Sequence, residues 1–357
     1  MILLLLALLL LLLPLLQVGD CIGAEFEFVR GEGLVPRSQV EAHIRAVKAG
    51  KREGEERYTD DTAMARQIGL SLVAEGRLEA RAVARAFTEE YFREPGRGYG
   101  GAVREVFTKL REQEYSEPLG PASQQFGGSG SYGNGAAMRA HAVGLAMAGV
   151  GEAWRVEEVA EQVARVTHSH PLGVQGGALQ AVATYHAVKG AEVVELRASV
   201  EQLVEDWPEY STKMGVIHRS LGRSTDDLEE VVLGHQEAVG LGNGVAAVDS
   251  VPTALYCYLE VLGKERQEQT ARSQEAAQGL FEQVLSLAIQ CGGDTDTIAS
   301  MACALAGATL GEQGLPQELV ARCEAAQEVR GLAESMCRLV VGEEGGPSQA
   351  KKVKPNE

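Results

Sequence analysis

The 357-residue chain has few aromatic residues, 5% of the total, and little positive charge. Its 33 Lys and Arg stand against 50 Asp and Glu, a formal net charge of −17. No basic stripe offsets that balance, which argues against binding bare DNA or RNA through phosphates. An anionic ligand would need local help, from metal ions or from backbone N–H groups. Runs of Val, Ile, Thr and Tyr alternating with polar residues are nearly absent, while Ala, Leu and Glu are abundant. Both facts favour helices over strands. The six cysteines, Cys21, Cys257, Cys291, Cys303, Cys323 and Cys337, form no C-x-x-C pair and no zinc spacing. They read as buried, reduced thiols. No fixed-length repeat and no clean linker divides the chain, and 45% hydrophobic residues can build a sizeable core. The expectation is one compact all-α domain of many helices.

The amino terminus, "MILLLLALLLLLLPLLQV", is almost purely apolar. It resembles a signal-peptide core without the basic start, and it is short for a spanning helix of about 20 residues. Residues 1–18 are therefore set apart as an atypical leucine-rich segment. It is either a substitute buried helix or a signal or membrane anchor. Residues 19–341 form the domain, and 342–357 a polar, disordered tail. Helical spacing recurs through Ser38 to Gly50, after "YTDD" as far as Gly76, and up to Pro95. Further helices are expected over Gly135 to Val150, Leu228 to Val239 and Pro316 to Val341, with "DWPEYSTKMGVIHRSLGRSTDD" as a loose connection.

Two stretches put a pair of acids where a helix begins. "YTDDTAMA" carries Thr59, Asp60, Asp61 and Thr62; "GGDTDTIAS" carries Asp294, Thr295, Asp296 and Thr297. Capping and the helix dipole account for one acid per helix. They account poorly for a second, because adjacent carboxylates repel. Hard divalent cations take oxygen ligands. If the two helix starts face each other, two ions roughly 3.5–4 Å apart would neutralise four carboxylates and could polarise a water.

A glycine-rich loop, "FGGSGSYGNGAAMR", opens onto a helix. Glycines let backbone N–H groups approach an anion, although flexible connection is an equally good reading from composition. The loop is neither a Walker A nor a Rossmann fingerprint. Phe126 and Tyr132 could stack on a base or ribose. "THSHPLG" holds His168 and His170, better read as a turn before Pro171 than as a metal pair; "GDCIGAEFE" holds Asp20, Glu25 and Glu27.

Taken in order, "GDCIGAEFE", "YTDDTAMAR", "GRGYGGAV", "GSYGNGAAMR", "THSHPLG", "LGNGVAAVDSVPTALYC" and "GGDTDTIASMACALAGA" resemble the ADP-ribosylglycohydrolase family. The likeness is greatest to its vertebrate ADP-ribosylserine hydrolase branch and covers roughly Gly19 to Val341. It implies a compact all-α fold with a two-Mg²⁺ centre. Thr59, Asp60, Asp61, Asp294, Asp296 and Thr297 would be the ligands. It implies that Asp60, Phe126, Ser129, Gly130, Ser131, Tyr132, Gly133, Asn134, Gly135, His168 and Val245 contact ADP-ribose. Glu27, on a flap, and Asp294 are the implied catalytic carboxylates. The implied reaction cleaves the O-glycosidic bond of ADP-ribosylserine and the ribose–ribose bond of poly(ADP-ribose). The implied partners are ADP-ribosylated proteins and poly(ADP-ribose), met by a monomer in the nucleus and cytoplasm or the mitochondrial matrix. The competing implications are a hydrolase of another conjugate, such as ADP-ribosylarginine or O-acetyl-ADP-ribose, and a non-catalytic relative. All four aspartates are present, which counts against the last.

Overall fold

The structure, a computed structural model, describes residues 2–149, 152–223, 227–235, 238–265 and 273–341. The predicted polar tail, 342–357, lies outside them. Helices account for nearly all regular structure: α1 (Ile2–Gly23), α2 (Arg37–Lys48), α3 (Asp60–Glu75), α4 (Ala80–Arg93), α5 (Gly101–Glu112), α6 (Gly120–Ser123), α7 (His141–Met147), α8 (Ala153–Ala164), α9 (Pro171–Val188), α10 (Val193–Leu203), α11 (Pro208–Ser220), α12 (Leu228–Leu233), α13 (Ala247–Glu265), α14 (Gln274–Gln290), α15 (Thr295–Leu310), α16 (Gln317–Val320) and α17 (Ala326–Val341). One extended segment, Val29–Glu32, stands among them. The all-α expectation holds.

The centre of the fold is the pair α1 and α15. α15 is buried along almost its whole length, with Ile298, Ala299, Met301, Ala302 and Leu305 fully covered. Such a helix can be apolar on every side because no side faces water. Leu13, Leu15, Leu16, Val18 and Ile22 of α1 are equally covered. Two glycines set the distance between the helices. A β-carbon on Gly19 would collide with the carbonyl of Ala299, and one on Gly23 would fall 2.6 Å from that of Thr295. The Thr295 hydroxyl donates to the carbonyl of Gly23 at 2.9 Å. α1 runs unbroken through residue 18, where the leucine-rich segment was expected to end, and its second half is core.

Four local expectations are corrected. The "loose connection" contains α11: Tyr210, Met214 and Ile217 share one buried face at helical spacing, which the surrounding Ser, Thr, Lys and Gly obscure. The single helix expected over Gly135 to Val150 is a 3₁₀ turn at Asn134–Ala136, then tight turns, then α7. There the N–H of Ala140, Ala142 and Val143 each bond three residues back. The helix from Leu228 stops at Leu233, because Gly234 (φ 76°) reverses the chain and Leu241 and Gly242 bond back to Val231 and Val232. The Pro316–Val341 helix is split where Glu324 N–H reaches the Glu56 carbonyl and Ala325 turns left-handed (φ 55°).

Candidate metal centre

The start of α3 is held from α1. Asp20 is fully buried, and its carboxylate accepts the N–H of Thr59 at 3.0 Å, the N–H of Thr62 at 3.0 Å and the Thr62 hydroxyl at 2.5 Å. An acid on another helix thus supplies the capping that an N-terminus needs. Thr59 is the N-cap residue, and its hydroxyl accepts the Asp61 N–H. With that end satisfied, Asp60 and Asp61 need not cap their own helix.

The start of α15 is built by two successive left-handed glycines, Gly292 (φ 68°) and Gly293 (φ 65°). Side chains there would strike the carbonyls of Gly33 and Asn243. Asn243 ties the loop down: its carbonyl accepts the Asp294 N–H at 2.8 Å, and its amide donates to the carbonyls of Glu32 and Cys291 at 2.8 and 2.7 Å. Asp294 makes no side-chain cap of its own helix. Its carboxylate instead accepts the Asn134 amide at 2.6 Å. The Asp296 carboxylate accepts the Thr297 N–H at 2.8 Å.

The two helix starts face one another. The Thr297 hydroxyl reaches the Asp61 carboxylate at 3.3 Å, and the Ser300 hydroxyl donates to it at 2.6 Å. Glu27, Asp294 and Asp296 each offer a carboxylate oxygen within 4.8 Å of the others. Glu27 is at the solvent side, and the next residue, Phe28 (φ 46°), donates its N–H to the carbonyl of Gly293 at 2.9 Å. Glu27, Asp60, Asp61, Asp294 and Asp296 line one cavity of about 470 Å³, together with Thr297, Phe126, Ser131, Gly133, Asn134, Gly135, His168 and Val245.

The electrostatics point one way. Burial raises the Asp60 carboxyl to about 8, with Asp20 adding to it. Burial pushes Asp61 and Asp296 well above the usual range, reinforced by Asp20 and Asp60 for the first and by Asp294 and Asp61 for the second. Burial also raises Asp294, and it raises Glu27 with help from Asp294 and Asp20. Like charges crowded in a low dielectric disfavour ionisation. A divalent cation removes that penalty, and an all-oxygen donor set suits a hard one. The residues therefore fit a metal site.

Some predicted site residues do not line this cavity. The Thr59 hydroxyl stays in its capping role beside Asp61. Ser129 closes a local turn onto the Phe126 carbonyl, and Gly130 packs against Ser169 and His170. Tyr132 is 58% exposed, edge-on to His170. His170 caps α9 by accepting the Leu172 N–H, as the turn reading expected. A second cavity, about 540 Å³ between α2 and α14, holds no comparable cluster.

Several polar residues around the centre escaped sequence reasoning. Asp20 was noted but given no role; an isolated acid in a leucine-rich helix was the available signal. Ser300 sits one turn after Asp296 among small residues and carries no signal. Arg139 is 1% exposed. Its guanidinium donates to the Gly135 carbonyl at 2.6 Å and the Thr167 hydroxyl at 2.7 Å, and lies over the Phe87 ring at 4.6 Å.

All six cysteines are buried and none is in a disulfide, as expected from their spacing. The Sγ atoms of Cys257 and Cys291 lie 3.6 Å apart.

Comparison with known proteins agrees with this geometry. The chain is 35% identical over 347 residues to the ADP-ribosylhydrolase ARH3 of Homo sapiens, covering 90% of each chain. It is 36% identical over 352 residues to that of Gallus gallus, again over 90% of each. A solved structure titled ADP-ribosylglycohydrolase-related protein complex superposes with a TM-score of 0.64 at 21% identity, over 94% of this chain and 99% of that one, and speaks for the fold alone. The profile of the ADP-ribosylglycohydrolase family matches residues 13–346, and the chain belongs to that family.

Proposed function

We propose that the chain is a Mg²⁺-dependent hydrolase. It releases ADP-ribose from serine on proteins and cuts the ribose–ribose bonds of poly(ADP-ribose). The observation that carries this reading is the meeting of two acidic helix starts and Glu27 around one cavity with a glycine-rich wall. Its resemblance to the ADP-ribosylhydrolases supports the substrate class.

Asp60, Asp61, Asp294, Asp296 and Thr297, with Thr59 if its hydroxyl leaves its capping place beside Asp61, are the residues that would hold two Mg²⁺ ions. Bound there, the ions supply positive charge to polarise ribose hydroxyls and a water. The chain's own groups do the rest. Asn134 orients Asp294 through its amide. Ser131, Gly133 and Gly135 form a wall close enough to approach a diphosphate, and Phe126, 63% exposed at the mouth, offers a ring face. The departing serine oxygen must gain a proton and the attacking water must lose one. Glu27, at the solvent side beside Asp294 and Asp296, is the first candidate for that exchange and Asp294 the second. The partners in this reading are ADP-ribosylated proteins and poly(ADP-ribose), met by a monomer in the nucleus, the cytoplasm or the mitochondrial matrix. The net charge of −17 disfavours direct DNA or RNA contact.

The test is release of ADP-ribose from serine-modified and arginine-modified peptides, each with Mg²⁺ or EDTA. Release is expected from the serine peptide with Mg²⁺ and from neither peptide with EDTA. Asp60→Ala is expected to abolish it. Release from the arginine peptide alone would overturn the serine assignment, and no release from either would overturn the enzymatic reading.

A further inference from the structure

Arg139 is the one cationic side chain lining the acidic cavity among the described residues. It forms no salt bridge among the described residues, the Asp60 charge acting on it only at longer range, and its Nε has no hydrogen-bond partner there. A buried guanidinium without a counter-ion is costly to keep, so its hydrogen bonds indicate what it is kept for. Arg139 Nη2 donates to the Thr167 hydroxyl oxygen at 2.7 Å, and the same oxygen lies 2.7 Å from Nδ1 of His168.

The donors and acceptors in this chain can be assigned without seeing hydrogens. A guanidinium only donates. The Thr167 oxygen must therefore accept from Arg139, which leaves its own hydrogen free to point at His168. The Thr167 hydrogen has no other acceptor among the described hydrogen bonds, so it goes to Nδ1 of His168, which accepts it and carries none itself. The reverse direction, with the oxygen accepting from both neighbours, would leave that buried hydrogen unpaired. A neutral imidazole then holds its proton on Nε2. Burial keeps the ring neutral, with Arg139 adding to the effect. Nε2 makes no hydrogen bond to a described residue. It lies under the glycine wall, where a β-carbon on Gly135 would come within 3.2 Å and one on Gly133 within 3.5 Å.

We propose that Arg139 and Thr167 are positioning residues that fix His168 as the Nε2–H tautomer, giving the cavity a permanent hydrogen-bond donor for an acceptor oxygen of its ligand. The arrangement supplies an N–H aimed at an anion-bearing ligand in a cavity whose other ionisable side chains, Arg139 apart, are acids. It also explains the small residues at Gly133 and Gly135, since a side chain at 135 would collide with the ring carrying that donor. The inference rests on the ADP-ribose reading for the identity of the ligand, but not for the state of the ring.

The experiment has two arms on the full chain. The ¹⁵N spectrum of the imidazoles, with His168→Gln to assign the signal, reads the tautomer without any ligand. Calorimetric titration with ADP-ribose in Mg²⁺ reads the affinity. Wild type is expected to show a single Nε2–H ring at His168. Thr167→Val is expected to give a mixture of tautomers and to weaken ADP-ribose about tenfold, the loss of roughly one good hydrogen bond. Thr167→Ser should restore both readouts, which a merely space-filling role for Thr167 would not require. An Nδ1–H ring in wild type overturns the proposal, whether or not any variant folds. So does Thr167→Val with an unchanged spectrum and affinity. Wild type that shows the Nε2–H ring but binds no ADP-ribose would overturn the ligand reading and leave the relay standing.

Discussion

The Asp20 carboxylate on α1 takes the Thr62 hydroxyl of α3 at 2.5 Å and the Thr62 N–H at 3.0 Å, both in a fully buried setting. The apolar first helix is thereby joined to the start of the acidic one. α1 is itself locked to α15 by the close approach at Gly19 and Gly23. One helix therefore sets the position of both halves of the metal centre.

Asp20→Asn should act at a distance from the metal. The amide keeps the shape but loses the charge, leaves one oxygen to take all three donors, and sets its NH₂ group against the Thr59 N–H that the other carboxylate oxygen accepts at 3.0 Å. The expected cost is about 1.5–3 kcal/mol, the range for hydrogen bonds to a charged group. Urea unfolding measures it, and Mg²⁺ affinity should fall with it because Asp60 and Asp61 follow the helix start. An Asn variant with wild-type stability and Mg²⁺ affinity would refute the joint.

Asp296→Asn should move stability in opposite directions with and without metal. In EDTA it removes a carboxyl whose ionisation is opposed first by burial and then by Asp294 and Asp61, so the melting temperature should rise. If Mg²⁺ is the ion held there, the wild type should gain stability by mass action as it is added, and the variant should gain little. Thermal melts of both proteins across a Mg²⁺ series check this. Equal Mg²⁺-dependent gains would remove Asp296 from the ligand set.

His141 gives a pH signature that should be independent of metal. Its ring is fully buried, neither nitrogen has a hydrogen-bond partner among the described residues, and burial lowers it to about 3. The unfolded chain takes up a proton near pH 6.5 that the folded chain refuses. The neutral ring therefore carries no penalty above about pH 6.5, and stability is lost as pH falls from there toward 3, by about 1.4 kcal/mol per unit once the unfolded ring is protonated. His141→Leu should be less pH-sensitive by one proton between pH 6 and 5. Urea titrations of both proteins in saturating Mg²⁺ measure the difference. Identical pH slopes would contradict a buried neutral ring.

The paired acids at residues 60, 61, 294 and 296 were legible from the chain because they break a local rule. One acid caps a helix, and a second needs another reason. The reason became visible when both helix ends proved to be tied by other residues, Asp20 for α3 and Asn243 for the loop before α15. Neither tie has a local signal, since the partners lie far apart in sequence. Helix α11 is missed for the converse reason: its few buried residues, Tyr210, Met214, Val216, Ile217 and Ser220, lie among polar ones.

The run of small and apolar residues, the scarcity of alternating strands and the doubled acids are properties of neighbours along the chain. Helical class, the two acidic helix starts and the family resemblance follow from them directly. The depth of α1 in the core, the role of Asp20 and the Arg139–Thr167–His168 relay depend on contacts between segments that chain order does not bring together. A buried arginine and a surface arginine are the same letter, and only packing fixes which groups lose their water and must find partners.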